Sequence, residues 1–434
     1  MTEEGSTPAS QRDAGTVAWT GSTYFAEGLP WSVLHQVASE FFTAAGLPAR
    51  QVGYTSALHA TSTLKFVWSP IVDLFGSLRQ WMVATQALLG VLMGLLALLA
   101  HQVATTTGVK DTTFVWVVLV AIGVASATHD IACDGYYMDA LKKDAQARYA
   151  GVRVAAFRAA MLVGNSALVY LAGQYSWLLA FGTAGAIMLG LGLGHRLWLP
   201  RAGAETRPPA PKRTDAQRVA HIREAYLSFL KQEHVVLVIG FLLLFKLGDA
   251  LLFNMSKVML RELGVTTAER GVINGFGTAA SIAGAIAGGA WIARVTLARA
   301  IVPITLLMAV THPLYLLIAV PSMPMELVNL ADAPTMALAH LAPPRLAIGG
   351  ILVIEQFCGG MATAAQMVFL MRRCHPDHKA AHFAFGTAIY SLAQMITGSY
   401  SGWVYEAQGP VVYFALTCLA CLPCVLLVRF VPTR

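Results

Sequence analysis

Residues 113–141 read Thr113-FVWVVLVAIGVASATHDIACDGYYMDA-Leu141. From Phe114 to Thr128 the run holds no charge, and Asp130 and Asp134 follow before it ends. A bilayer core of about 30 Å is crossed by roughly 20 apolar residues in a helix. The stretch is long enough to span, and Asp130 and Asp134 fall inside the span. An ionisable side chain there is costly and marks a function by default.

Eleven further stretches have the same character, at 17–42, 49–70, 80–101, 147–173, 177–199, 234–261, 268–291, 296–320, 346–372, 380–403 and 411–431. Several exceed the minimum length, which implies tilt. The composition agrees. Of 434 residues 56% are hydrophobic and only 12% charged, where a soluble domain carries about a quarter charged. With a mean hydropathy of +0.60, this excludes a disordered chain, a nucleic-acid-binding domain and an ordinary cytosolic enzyme. The net charge of +7 is spread along the chain rather than pooled in a patch that could hold nucleic acid. Cys418, Cys421 and Cys424 have metal-like spacing but lie in an unbroken apolar run, and small packing residues explain them better than a metal or redox site. Residues 1–16 are polar and lack an apolar segment, so no secretory signal is expected.

The longest polar interruption, 200–233, is rich in Arg, Lys and Pro and divides the spans six and six. The expected organisation is a tail at 1–16, a six-helix bundle at 17–199, a basic linker at 200–233 and a second bundle at 234–434. A second long connection, 321–345, carries five prolines. With the amino terminus in the cytoplasm, cytoplasmic segments hold 21 Lys and Arg, against five on the other side: Arg50, Lys110, Arg261, Arg270 and Arg345. Both termini are therefore expected in the cytoplasm. Lys65, Arg158, Lys246 and Lys257 remain inside spans. The halves also echo each other: Gly46-LPARQV-Gly53 and Gly264-VTTAER-Gly271 lie at an offset of 218 residues. Twelve helices in two six-helix halves related by a parallel repeat are the all-α major facilitator architecture.

By analogy with that architecture, helices one, four, seven and ten line the interior. Each carries an acid here: Glu27, Asp130 with Asp134, Asp249, and Glu355. Asp130 and Asp134 share one helix face, about 6 Å apart along the axis. Two carboxylates so close in a low dielectric resist double ionisation, the property a proton carrier needs. Depth follows from hairpin geometry. Asp130 and Arg158 stand equally far from a turn at Asp144, and Glu27 and Lys65 equally far from a turn at Gly46, so each acid is expected to pair with that base. Lys246 and Asp249 share a face at i, i+3. These pairs either serve transport or only hold helices together. Asp73 and Arg79 fall in the loop between helices two and three, where a gate is expected. His129 is either a packing residue or a relay. Tyr24, Trp31, Tyr54, Tyr136, Tyr137 and Phe245 accompany the charges and can pack helices or hold a sugar ring. Gly359-Gly360 lets backbones approach, for packing or for substrate.

Thr128-HDIACDGY-Tyr137, Leu64-KFVWSPIV-Asp73, Phe245-KLGD-Ala250, Phe357-CGG-Met361 and Tyr24-FAEGL-Pro30 resemble the AmpG muropeptide permease family, across essentially all twelve helices. Acetyl-CoA transporters are a more distant match. Enterobacterial members read SQDIVFDAW where this chain has THDIACDGY at 128–136, and they lack an acid at the Glu27 position. The resemblance implies uptake of N-acetylglucosamine–anhydro-N-acetylmuramic acid species across a bacterial inner membrane, driven by the proton gradient and without a cofactor. Asp130, Asp134, Lys65, Asp73, Lys246 and Asp249 carry over from its motifs. The expected assignment is thus proton coupling by Asp130, Asp134 and Glu27. Cargo contact is expected from Lys246, Asp249, Arg158, Glu355, Lys65, Tyr137 and Trp31, and gating from Asp73 and Arg79. The partners would be a muropeptide-like small molecule, protons and the lipid bilayer, with a monomer as the working unit. A different amphiphilic anion, or export, stays open. A membrane sensor lacks an output domain, and a membrane-embedded enzyme lacks a nucleophile or metal motif.

Overall fold

Ser77 and Thr266 start two of the long helices by the same device. The Ser77 hydroxyl accepts from the Gln80 amide at 3.2 Å while the Gln80 side chain accepts from the Ser77 amide at 3.0 Å. Thr266 and Glu269 repeat the exchange at 3.3 and 2.8 Å. Each box satisfies two backbone donors that a helix start otherwise leaves open.

The computed structural model describes residues 9–201, 224, 227–319, 343–375 and 379–432. Most of the 200–233 linker and of the 321–345 connection lies outside them. The described chain forms twelve helical spans. The first, α1, runs Ala9–Ser32, turns through a π-helical Val33–Val37 and continues Ala38–Ala44. It begins eight residues before the expected 17. α2 is broken: Ala49–Tyr54, a 3-10 turn Thr55–Leu58, His59–Thr63, a 3-10 turn Lys65–Val67, then Ser69–Leu74. α3 is Leu78–Thr105, α4 Thr113–Ala140, and α6 Trp177–Trp198. α5 is Lys143–Leu162 with a π segment Val163–Leu168 and a last piece Val169–Gln174. α7 is Val235–Leu244 plus Leu247–Glu262, α8 Thr267–Val295, α9 Leu297–Thr311 plus Pro313–Ala319, and α10 Pro343–Arg373. The run Lys379–Leu427 leaves helical geometry at Gly409 (φ 74°), followed by Pro410. It is two spans, α11 (379–408) and α12 (410–427). Nine described helices are long and apolar enough to cross a membrane, counting that run as one.

The internal repeat is a structural one. Gly46 and Gly264 both adopt φ 75°, the left-handed conformation that ends a helix. Leu47 N donates to Phe42 O at the first, and Val265 N to Leu260 O at the second. Gly46 N reaches Thr43 O, and Gly264 N reaches Arg261 O. Each of these backbone hydrogen bonds has its counterpart 218 residues on.

Two compact units result. One comprises the described residues up to Val37 together with those of 64–201. The other comprises 38–63 with the described residues from 224 onward. The boundary between these units runs through the first two spans. Its two crossings, Val37 to Ala38 and Thr63 to Leu64, fall at the end of the π segment and just before the second 3-10 turn. Inside the first unit, α1 and α5 touch through Gly28 against Phe157 and Gly164 against Ser32. Inside the second, Gly284, Gly288 and Gly360 bring α8 and α10 together, Gly360 lying on the Ser281 carbonyl. Small residues give this contact because lipid offers no hydrophobic drive between helices. An apolar core of Phe241, Phe245, Ile301, Ile304, Phe369 and their neighbours packs α7, α9 and α10.

Candidate functional site

In the first unit α4 presents Asp130 and Asp134 on one face, as their spacing requires. Lys65 is ion-paired with Asp130. The 3-10 turn that holds Lys65 makes this possible, and the neighbouring Trp68 indole donates to the Thr128 hydroxyl at 3.1 Å. Oδ1 of Asp134 accepts from the Tyr24 hydroxyl and from Nη2 of Arg153, both at 2.7 Å. The Arg153 guanidinium lies over the Tyr24 ring at 4.3 Å and near the Tyr137 ring at 5.1 Å, a favourable placement for a cation. Glu27 lies beside Asp130 with Lys65 close by. Its Oε2 is buried without a hydrogen-bond partner.

Two expected pairings change. Lys65 takes Asp130 rather than Glu27, because the break in α2 turns it toward α4. Arg158, expected on Asp130, has no ion-pair or hydrogen-bond partner among the described residues. Arg153, counted as a loop cation, pairs with Asp134 instead. Tyr137 is buried, with its hydroxyl donating to Gln146 O at 2.6 Å and its ring against Trp19 and Tyr24. It shapes the Arg153 seat and presents no free face to a sugar. Trp31 is half-buried against His35 and Phe157. Arg79 donates to the carbonyls of Arg196 and Leu199 at 2.7 and 3.1 Å, capping the end of α6. The Asp73 side chain lies outside the described residues.

His129 belongs to a separate chain of hydrogen bonds. Gln86 Nε2 meets His129 Nε2, Gln86 Oε1 meets His195 Nδ1, and His195 Nε2 meets Ser22 Oγ, each at 2.9 Å. An amide nitrogen only donates and its oxygen only accepts, so Gln86 fixes both ring tautomers. That is a packing device joining α1, α3, α4 and α6.

The second unit has its own cluster. α7 breaks between Leu244 and Leu247, leaving Lys246 at the cap (φ −113°, ψ 26°) and Asp249 in the first turn of the following helix. A carboxylate is favoured at a helix start, and discontinuous helices are a common place for binding groups in membrane proteins. Lys246 Nζ is 2.9 Å from Asp249 Oδ2 and 3.3 Å from Gly359 O. Glu355 accepts from Gln356 at 2.8 Å and Tyr315 at 3.3 Å. A Cβ on Gly359 would sit within 4.0 Å of Glu355, Asp249 and Lys246 alike. His312, which sequence reasoning missed, lies 3.3 Å from Asp249. Cys421 lies under Gly248, while Cys418 and Cys421 donate to carbonyls one turn back.

A third group of charges, also in the second unit, joins the segment 38–63 to α7 and α8. Glu40 and Arg270 form an ion pair at 2.8 Å with exposures of 0% and 1%. Asn274 donates to the other Glu40 oxygen at 2.9 Å. Lys257 donates to Ser39 at 2.5 Å and Arg261 to Thr43 O at 3.1 Å, both across 218 residues. Equivalent positions of the repeat thus meet each other. Arg270, counted above as a loop cation, is buried. Glu40 was legible as an acid within the apolar run 17–42.

The sequence profile of the Major Facilitator Superfamily matches residues 20–339. The chain is 27% identical over 410 residues to the anhydromuropeptide permease of Escherichia coli strain K12, covering 92% of this chain and 76% of that one. Among solved structures, a bacterial homologue of the human lysosomal transporter Spinster superposes with a TM-score of 0.66 at 12% identity, covering 98% of this chain and 95% of that one. A D-xylose-proton symporter gives 0.64 at 14%, covering 97% and 98%. These two likenesses bear on the fold alone.

Proposed function

Because the chain belongs to the Major Facilitator Superfamily and is a multi-pass secondary transporter, we propose that it imports anhydromuropeptides by proton symport. The observation that carries the proton reading is the charge count of the first cluster. Among the described residues, the lysine and arginine cations facing Glu27, Asp130 and Asp134 are Lys65 and Arg153. Three carboxylates against two cations leave one negative charge among apolar helices, and one bound proton completes the neutralisation. Support for the cargo is the AmpG-like sequence, the likeness to the E. coli permease and the supply of cations for carboxylates. Among the described residues Arg158 has no ion-pair partner, and Lys246 is held by a carboxylate that cargo can replace. The place of action is the bacterial inner membrane with both termini in the cytoplasm, as the distribution of basic residues supports. The substrate is moved and not converted.

Exchange separates binding from coupling. Vesicles preloaded with unlabelled N-acetylglucosaminyl-anhydro-N-acetylmuramyl tripeptide should take up labelled tripeptide in wild type, Asp130→Asn and Asp134→Asn. Accumulation driven by a proton gradient should survive only in wild type. Full accumulation by both variants would remove the carboxylates of α4 from coupling. Failure of wild-type exchange would remove the cargo.

A further inference from the structure

Asp249 is approached from two sides. Lys246 holds Oδ2, while Oδ1 faces Nε2 of His312 at 3.3 Å. The His312 ring is fully buried, and its Nδ1 is 3.1 Å from Met308 O, one turn earlier in α9. A carbonyl only accepts, so Nδ1 carries the hydrogen and Nε2 is the position left to a second proton. Among the described residues, neither Nε2 of His312 nor Oδ1 of Asp249 has a hydrogen-bond partner beyond this mutual contact. With a neutral ring, a nitrogen lone pair faces a carboxylate oxygen. With a protonated ring, the same contact is an ion pair. The other titratable groups around this pair are Lys246 on α7, Tyr315 on α9, Glu355 and Cys358 on α10, Tyr390 on α11, and Cys418, Cys421 and Cys424 on α12.

We propose that His312 is the second counter-charge of Asp249, taking up a proton when anionic cargo draws Lys246 away, so that a proton enters this cluster together with the cargo, in addition to the one carried by Glu27, Asp130 and Asp134. The proposal rests on the reading of Lys246 as a cargo-binding cation. The charges balance. Before binding, Lys246 cation and Asp249 anion pair beside a neutral imidazole. After binding, Lys246 pairs with the cargo carboxylate, and a proton from water on Nε2 pairs His312 with Asp249. One anion and one proton enter together. His312 acts as a positioning and proton-holding residue behind Asp249.

The first arm needs no cargo. In Lys246→Gln, Asp249 has His312 as its remaining cation. Stability that depends on a protonated imidazole is present at low pH and lost as pH rises. The thermal midpoint of purified Lys246→Gln should therefore fall between pH 5.5 and 8.5, from about one unit below to two units above the ordinary imidazole value. The fall should vanish in Lys246→Gln/His312→Gln. A flat profile in the single variant, a fall that persists in the double variant, or a single variant unfolded even at pH 5.5 each overturns the proposal. The second arm adds the tripeptide to purified protein in weak buffer with a pH-sensitive dye. His312→Gln should bind tripeptide while taking up about one proton fewer per molecule than wild type, and equal uptake overturns the proposal. Absence of any tripeptide binding by wild type sinks the cargo reading instead, and the first arm still decides whether His312 replaces Lys246.

Discussion

Arg270→Gln is expected to lower the unfolding free energy by about 3–5 kcal/mol, the usual cost of leaving one member of a buried ion pair alone. Glu40 would keep its Asn274 contact but lose its counter-ion in a fully buried place. Arg270 also donates to Val265 O at 2.8 Å and to the Thr267 hydroxyl at 3.3 Å, so the start of α8 loses its anchor too. Glu40→Gln should cost a similar amount, since it strands Arg270. The double variant Glu40→Leu/Arg270→Met removes both charges at similar volume and should recover much of the loss. Denaturant unfolding of the purified protein checks this. Single variants within about 1 kcal/mol of wild type would place the pair among contacts that water can reach.

Lys65→Gln should bring gradient-driven uptake of labelled tripeptide to the level of empty vesicles. Removing this cation leaves Glu27, Asp130 and Asp134 with Arg153 alone, and the cluster then needs two bound protons rather than one for neutrality. It would hold those protons when it should release one. Lys65→Gln/Asp130→Asn restores the balance of charges, so exchange of tripeptide should return while accumulation stays absent. Additive losses in this cycle would show that Lys65 and Asp130 act independently. Initial rates in proteoliposomes, normalised to inserted protein, provide the comparison.

The helices and the interior acids were legible in the sequence because a bilayer imposes a length and charges in lipid stand out. The repeat was legible as well, since Gly46 and Gly264 serve one backbone conformation that needs glycine. Pairing was harder. Hairpin depth places residues level but does not say which neighbour turns toward which. Asp134 and Arg153 are nearly equidistant from Asp144, so the depth rule that put Arg158 on Asp130 also offered Arg153 to Asp134. Arg153 was passed over because basic residues near a helix end were assigned to the loop. Lys65 could not be aimed without the 3-10 turn that follows Leu64. His312 gave no signal, since a lone histidine in an apolar run acquires meaning only from the carboxylate that the break in α7 sets against it. The grouping of 38–63 with the second unit was likewise invisible, because it depends on contacts from α7, α8 and α11 to a segment far away in sequence.

Proton-driven import of anhydromuropeptide is tested most directly by accumulation in proteoliposomes of the purified full chain. Labelled N-acetylglucosaminyl-anhydro-N-acetylmuramyl tripeptide is supplied outside, with the lumen either at the same pH or more alkaline. Accumulation above the outside concentration only with the inward proton gradient, abolished by a protonophore, is the expected result. Equal uptake with and without the gradient, or none in either, would contradict it.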